Sequence, residues 1–416
     1  MPTRGRRRAS RRLAVCVVLA GVACSHAKPY YREPFEPEPP VDPTRIAQRL
    51  LLIGDAGDPD PAGEPALEAL RHQAGLLGER ATVVFLGDNI YERGMPDAAG
   101  ASESERSDAE RRIDAQIDAA TAGGARAIFV PGNHDWDPLG AGSARRVWSL
   151  DAHLKAVRQR AGVDASLLPR AGCPGPASVV LGSQLTLIAM DTEWLLEAYA
   201  GGGPDAADCA HATPTQVQAA LRDSLAEAAA QRRWTVVVAH HPLETRGPHG
   251  GFASWRGHLF PFSQAKGYVP VVVEWLPLPL VGSLLVGMRA CCSPTRQDLS
   301  SGANRELRAA LEASFGEARR ESAAPLLYAA GHDHSLQVFF DNDGPHYTVV
   351  SGLGSSSKAT PVGHGVRSFF AHSNARQPGF VAVDFLVDGS VRLTVIESTP
   401  GRPQGEEVYS RELSGP

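Results

Sequence analysis

Apolar residues along this chain gather into short runs that stop at small polar clusters. Arg49–Ile53 runs into Gly54-Asp55, Thr82–Leu86 into Gly87-Asp88-Asn89, and Ala127–Val130 into Pro131-Gly132-Asn133-His134-Asp135. Leu185–Met190 runs into Asp191-Thr192, Thr235–Ala239 into His240-His241-Pro242, and Leu326–Ala330 into Gly331-His332-Asp333-His334. The runs are near-continuously apolar rather than alternating, which is the pattern of strands buried on both faces. Helical stretches separate many of them: Glu64–Glu79, Glu105–Thr121, Ser143–Arg160, Pro214–Arg233 and Asn304–Arg320. The fourth has an explicit start, with Thr213 as N-cap, Pro214 at the first helical position and Gln216 placed to complete a capping box. Tyr347–Val350, Phe380–Val387 and Val391–Ile396 follow as strands, the last two joined at Asp388-Gly389 as a hairpin. Strand–helix alternation predicts an α/β fold, and in such sheets ligands collect beyond the carboxyl ends of the strands. The polar clusters lie at those ends, so one site gathers them.

The 416 residues suffice for one large domain or two ordinary ones, and a hydrophobic share of 43% suits a sizeable core. A net charge of −5, with no basic stripe, argues against nucleic-acid binding. The basic start belongs to export instead: Arg4 to Arg12 precede an apolar run, Leu13 to Ala23, and then Cys24. That is the layout of a secretory leader, too short to span a bilayer. Residues 1–24 are therefore expected to be a signal peptide of lipoprotein type, with Gly21 an imperfect lipobox position and a plain signal peptide the alternative. Ser10-Arg11-Arg12-Leu13 also has the form of a twin-arginine signal. Residues 25–44, rich in Pro, Tyr and Glu, are expected to be a tether, and 45–400 the folded domain. This places the protein in a cell envelope or periplasm, anchored to membrane, or else secreted. Beyond the leader, Cys173, Cys209, Cys291 and Cys292 permit disulfides in an oxidising compartment. Cys173–Cys209 is the expected pair; the adjacent Cys291 and Cys292 are expected to bond elsewhere or stay free.

Taken singly, Gly54-Asp55 and Gly87-Asp88 are ordinary turns. An Asn-His pair at a strand end is an odder choice, and two histidines flanking Asp333 on one loop can face different metals. His240 adds a further imidazole. Five such clusters in this order are hard to explain by loop chemistry.

The order resembles the calcineurin-like metallophosphoesterase superfamily, and within it most closely the purple acid phosphatases of the tartrate-resistant, single-domain type. Leu86-Gly87-Asp88-Asn89-Ile90-Tyr91 and Gly331-His332-Asp333-His334-Ser335-Leu336-Gln337 carry the likeness. The wider superfamily has Asp-x-His at the first strand end, where this chain has Gly57. The purple enzymes lack that His and supply a tyrosine three residues after the second aspartate, where this chain has Tyr91. The resemblance implies a β-sandwich core flanked by helices, with a dinuclear metal site at the carboxyl ends of the strands. It implies that Asp55, Tyr91 and His334 hold one ion, that Asn133, His240 and His332 hold the other, and that Asp88 bridges them. Phenolate and carboxylate suit iron(III), while imidazoles and an amide suit iron(II), zinc or manganese. His134 is implied to stabilise the phosphoryl group or the leaving oxygen, and His249 to donate a proton or contact phosphate. Asp135 and Asp333 are expected to orient ligand imidazoles or anchor loops. The implied reaction is hydrolysis of phosphate monoesters by in-line attack of a metal-bound hydroxide. Phosphodiester or lipid-phosphate hydrolysis is the alternative, and a tethered binding protein without turnover a third.

One stretch departs from the compact relatives, an insertion at about residues 252–302. Val269 to Met288 is nearly all apolar, with three prolines and Glu274 as its one charge. Pro277 and Pro279 interrupt any spanning helix. The segment is expected to be either a flap packed on the domain or a loop that touches membrane or a lipidic substrate.

Overall fold

The computed structural model describes residues 28–36, 39–97, 100–136, 144–202, 208–262, 271–322, 324–340 and 344–414. The leader expected at residues 1–24 lies outside them. Among the described residues the strands are β1 Tyr30–Tyr31, β2 Ile46–Ile53, β3 Ala81–Phe85, β4 Arg126–Phe129, β5 Ala165–Leu167, β6 Ala177–Leu181, β7 Leu185–Ala189 and β8 Trp234–Val238, then β9 Leu326–Ala330, β10 Leu336–Phe340, β11 Tyr347–Ser351, β12 Ser368–His372, β13 Gly379–Leu386, β14 Val391–Thr399 and β15 Arg402–Leu413. The helices are α1 Pro65–Gly75, α2 Glu103–Ala120, α3 Ala144–Ala161, α4 Thr192–Tyr199, α5 Pro214–Ala230, α6 Trp255–Leu259, α7 Val271–Glu274, α8 Pro279–Cys292 and α9 Gly302–Glu321.

These strands form two sheets, in the orders β15-β14-β13-β2-β3-β4-β5 and β1-β12-β10-β11-β9-β8-β7-β6. In the first, β2 to β5 run parallel; in the second, β7, β8, β9 and β11 do. Alternate residues of each central strand serve two cores. Leu50, Leu52, Val84 and Ile128 of one sheet meet Leu187, Val236, Val238 and Leu327 of the other in the sandwich interior. Leu51, Ile53, Val83 and Phe129, with Ile188, Val237 and Tyr328, face outward beneath the helices. This double burial produces the unbroken apolar runs, and the expected sandwich flanked by helices is what the chain forms.

The five expected helices are present with small shifts at their ends. Thr213 accepts from Gln216 N as expected of the α5 cap, but Gln216 Oε1 accepts from Ala212 N, one residue outside the box. The expected hairpin turns at Gly389, whose φ of 89° suits glycine. The folded part extends beyond 45–400 at both ends. Within the expected tether, β1 pairs with β12, and Tyr31 packs on Phe35 and Phe370. Beyond residue 400, β15 completes the first sheet. A two-residue strand and a polar edge strand have no apolar period to read. Cys173 and Cys209 are bonded, as expected. Cys291 and Cys292 are paired with each other rather than elsewhere or free. No helix among the described residues is long and apolar enough to cross a membrane.

Candidate metal centre

Loops at the carboxyl ends of β2, β3, β4, β8 and β9 converge between the sheets. Three of their residues, Asp55, Asp88 and His332, have φ of 58°, 54° and 70°. Left-handed backbone is unfavourable for non-glycine residues and concentrates at functional sites. Here it turns each side chain back across its strand end. Glycines let the loops close: Gly87, at φ 92°, has His240 Nδ1 2.5 Å from the place a Cβ would take. Gly57, at the position where the wider superfamily carries its histidine, has no room for a side chain. A Cβ there would lie 2.5–2.6 Å from the backbone of Asp88, Asn89 and Ile90.

The seven expected ligands come together, and in two trios. In the first, the Tyr91 hydroxyl donates to Asp55 Oδ1 at 2.9 Å and lies 3.1 Å from His334 Nε2, which is 3.3 Å from Asp55 Oδ1. In the second, Asn133 Oδ1 lies 2.9 Å from His240 Nε2 and 3.1 Å from His332 Nδ1. Asp88 stands between them, with Oδ1 3.3 Å from His240 Nε2 and its carboxylate near enough to act on the Tyr91 phenol. Asp55, Asp88 and the three imidazoles are buried or nearly so.

The outer nitrogen of each imidazole meets a backbone carbonyl. His240 Nδ1 donates to Leu86 O at 2.8 Å, His332 Nε2 to Gln297 O at 3.0 Å, and His334 Nδ1 to Lys358 O at 2.8 Å. A carbonyl can only accept, so these nitrogens carry the ring protons. The inner nitrogens of the neutral rings then point lone pairs at oxygens that carry lone pairs too, and His332 Nδ1 also faces His240 Nε2 at 3.2 Å. Such contacts repel unless a proton or cation lies between them. Burial disfavours charge on His240, yet Asp88 and Asp55 outweigh it and raise its pKa. A proton there would still leave His332, which burial and the His249, His241 and His240 rings hold well below its usual range, facing Asn133. Ligands about 2.1 Å from one ion and at right angles stand about 3 Å apart, as both trios do. Each ring bound outward to a carbonyl also matches how proteins fix metal-binding histidines. The donor set therefore fits two cations.

Asp88 is held low, to about 2: burial opposes its charge, but His240 and His134 outweigh burial. Burial, with the Asp55 and Asp88 carboxylates, pushes Tyr91 well above the usual phenol range. A phenolate at this position thus requires a strongly charged cation beside it. Lys358 Nζ, 4.2 Å over the Tyr91 ring, is paired with Glu92 at 2.6 Å.

Both further histidines border the trios. The His134 ring is 4.7 Å from Tyr91, with Nδ1 donating to Glu92 O at 2.6 Å and Nε2 3.9 Å from Asp88 Oδ2. The His249 ring lies 3.9 Å from that of His332, and its Nδ1 is 2.8 Å from Asp298 Oδ1. Asp135 and Asp333 anchor loops rather than imidazoles. Asp135 accepts from Gly132 N, Asn89 N and Asn89 Nδ2; Asp333 accepts from Thr245 Oγ1 and His249 N. His241 is near enough to His240 and His332 to join a metal group. Its nitrogens are instead taken by Thr192 Oγ1 at 2.9 Å and Gln297 Oε1 at 2.6 Å. Asp191, at a strand end like the ligands, caps α4 through Trp194 N and accepts from Trp136 Nε1. Sequence reasoning missed Gln297, Asp298 and Arg289. For Gln297 and Asp298 the cue was the polar stretch Ser293–Ser301 closing the apolar insertion, which carries no periodicity.

A sandwich with two metal-fitting trios across its strand ends defines the class: this is a metal-dependent phosphoesterase. Residues 48–273 match the model of the calcineurin-like phosphoesterase family, more than half the chain, and the protein belongs to that family. The family uses a dinuclear metal site, and Asp55, Asp88 and His240 form a buried group here that could bind metal. No curated protein sequence matches the chain significantly. Similar solved structures include GAP50, the anchor in the inner membrane complex of Plasmodium, with 16% identity over 89% of this chain and 90% of that one and a TM-score of 0.49. PhoD has 12% identity over 89% and 72% of the two chains and a TM-score of 0.47. A dimetal phosphatase from Danio rerio has 12% identity over 89% and 100%, with a TM-score of 0.41.

Proposed function

We propose that this phosphoesterase is an acid phosphatase-like enzyme of the purple type, hydrolysing phosphate monoesters. The observation that carries this reading is Tyr91, whose hydroxyl sits between Asp55 Oδ1 and His334 Nε2 while Gly57 excludes the alternative histidine. Asp55, Tyr91 and His334 would hold iron(III); Asn133, His240 and His332 would hold iron(II), zinc or manganese; Asp88 would bridge. Together the ions, when bound, would supply an acidified water and neutralise phosphoryl charge. The chain's own part is positional. The three carbonyl-bound imidazoles would hold their inner nitrogens toward the ions. His134 presents Nε2 beside Asp88 for a phosphoryl or leaving oxygen. His249, oriented by Asp298, would hold a proton for the leaving group, which matters most when that group is poor. We also propose export, with Cys24 as a lipid anchor to an envelope membrane.

A second reading, hydrolysis of lipid phosphates or diesters, is favoured by the exposed apolar residues of α8, which lies close to His249. Metal analysis of the purified protein together with a panel of soluble monoesters, diesters and lipid phosphates tests both. Turnover of diesters or lipid phosphates well above soluble monoesters would reject the first reading.

A further inference from the structure

Helix α8 is apolar almost all round, yet only Gly282 of its 14 residues is buried. A helix hydrophobic on every side belongs in a protein core or in lipid. Leu280 is 86% exposed and Leu284 65%, with Val281, Leu285 and Met288 also exposed. Beside them α7 exposes Val271 and Val272, at 70% and 78%, and Trp255 and Trp275 stand out at 66% and 54%. Exposed apolar patches of this kind mark interaction sites, and tryptophans flanking one are characteristic of membrane–water interfaces.

Charge on this surface points to one partner. From Pro248 to Cys292 the sequence holds Arg256, Lys266 and Arg289 against one carboxylate, Glu274, in a chain whose net charge is −5. Glu274 is buried. Arg256 is exposed beside Trp255, 5.5 Å from its ring. Arg289 turns back toward the domain, donating twice to Asp298 at 2.8 and 2.9 Å. Among the described residues of α6 to α8 the outward face thus keeps apolar groups and tryptophans with a cation at the rim and no exposed carboxylate, a combination suited to an anionic lipid surface.

The course of the chain agrees. Phe252, where the insertion begins, lies against Gly363, and the next residue, His364, stacks on Tyr30 with ring centroids 3.8 Å apart. Tyr30 belongs to β1, near the start of the described residues. β1 therefore lies on the side of the domain that carries the insertion.

We infer that the α6–α8 flap is a membrane-docking element that seats its α7–α8 face in the headgroup region of an anionic bilayer. This holds the metal centre against the membrane, because α8 is tied through Arg289 and Asp298 to His249. The inference goes beyond hydrolysis and needs no turnover to be tested.

The experiment uses the full chain on vesicles of phosphatidylethanolamine and phosphatidylglycerol whose acyl chains carry bromine, which quenches tryptophan on contact. The quenched fluorescence is expected to belong mainly to Trp255 and Trp275, and so to disappear in the Trp255→Phe/Trp275→Phe variant even where the leader keeps the protein on the vesicle. Leu280→Glu/Leu284→Glu, at exposed positions, should lose the quenching while keeping its circular dichroism. Should that pair not fold, the tryptophan variant decides the question alone. Absence of quenching from these tryptophans overturns the proposal, as does quenching unchanged by the glutamates. A concentration-dependent dimer, seen by sedimentation and abolished by the same glutamates, would overturn it in favour of an interface between copies of this chain.

Discussion

The ring of His332 donates from Nε2 to the main-chain carbonyl of Gln297 at 3.0 Å. An imidazole of the second trio is thus fixed by the far end of the insertion, so that stretch supports the candidate site. Asp298, the next residue, holds His249.

This gives Asp298 a pH signature. Burial disfavours its charge, but His249 and Arg289 outweigh burial and lower its pKa from 3.8 to about 2. The folded state therefore binds its proton less readily than the unfolded chain. The carboxylate stabilises the fold above about pH 4, and the contribution is lost as pH falls toward about 2. Asp298→Asn should be less stable than wild type near neutrality, with the difference shrinking below about pH 4. Urea midpoints measured for both proteins across this range check it; a difference that widens in acid contradicts it.

Replacing Tyr91 by Phe should bleach a visible charge-transfer band if the phenol binds iron(III). Absorption spectra of the two proteins, with metal content measured on the same samples, decide this. A colourless and fully active wild-type protein holding only divalent ions would remove the purple-type assignment.

Asp88→Asn removes one charge from the position between the trios. Turnover should fall by on the order of 100-fold or more, with circular dichroism unchanged. Wild-type turnover in this variant would contradict a shared two-ion mechanism.

Gly57→Ala tests the close approach of the first two loops. Its methyl would press on the backbone of residues 88–90, at a cost of about 1–3 kcal/mol. Denaturation midpoint and turnover should fall together, since Tyr91 N also donates to Gly57 O at 3.1 Å. A variant as stable and active as wild type would show that the loops separate easily.

Strand ends were legible from sequence because double burial leaves runs such as Thr82–Leu86 without polar interruption, and because each run stops at a polar cluster. Tyr91 and Gly57 were legible as a pair. Elsewhere the information lay in tertiary packing. Asp191 follows a strand as Asp55 does, yet caps α4. His241 adjoins a ligand, but Thr192 and Gln297 occupy its nitrogens. Strands β1 and β15 owe their place to edge pairing and to the aromatic cluster of Tyr31, Phe370 and Tyr409. Gln297 acts through its carbonyl, which no side-chain pattern can reveal.

The two trios draw on both sheets. Asp55, Tyr91, Asp88 and Asn133 follow β2, β3 and β4 of one; His240, His332 and His334 follow β8 and β9 of the other. A chain with one layer assembled would lack part of each trio. Cations held by these trios would act as a clasp across the seam of the sandwich. Chelation should therefore loosen the molecule first along that seam, with amide exchange rising at the ends of β2, β3, β8 and β9 before the outer helices respond.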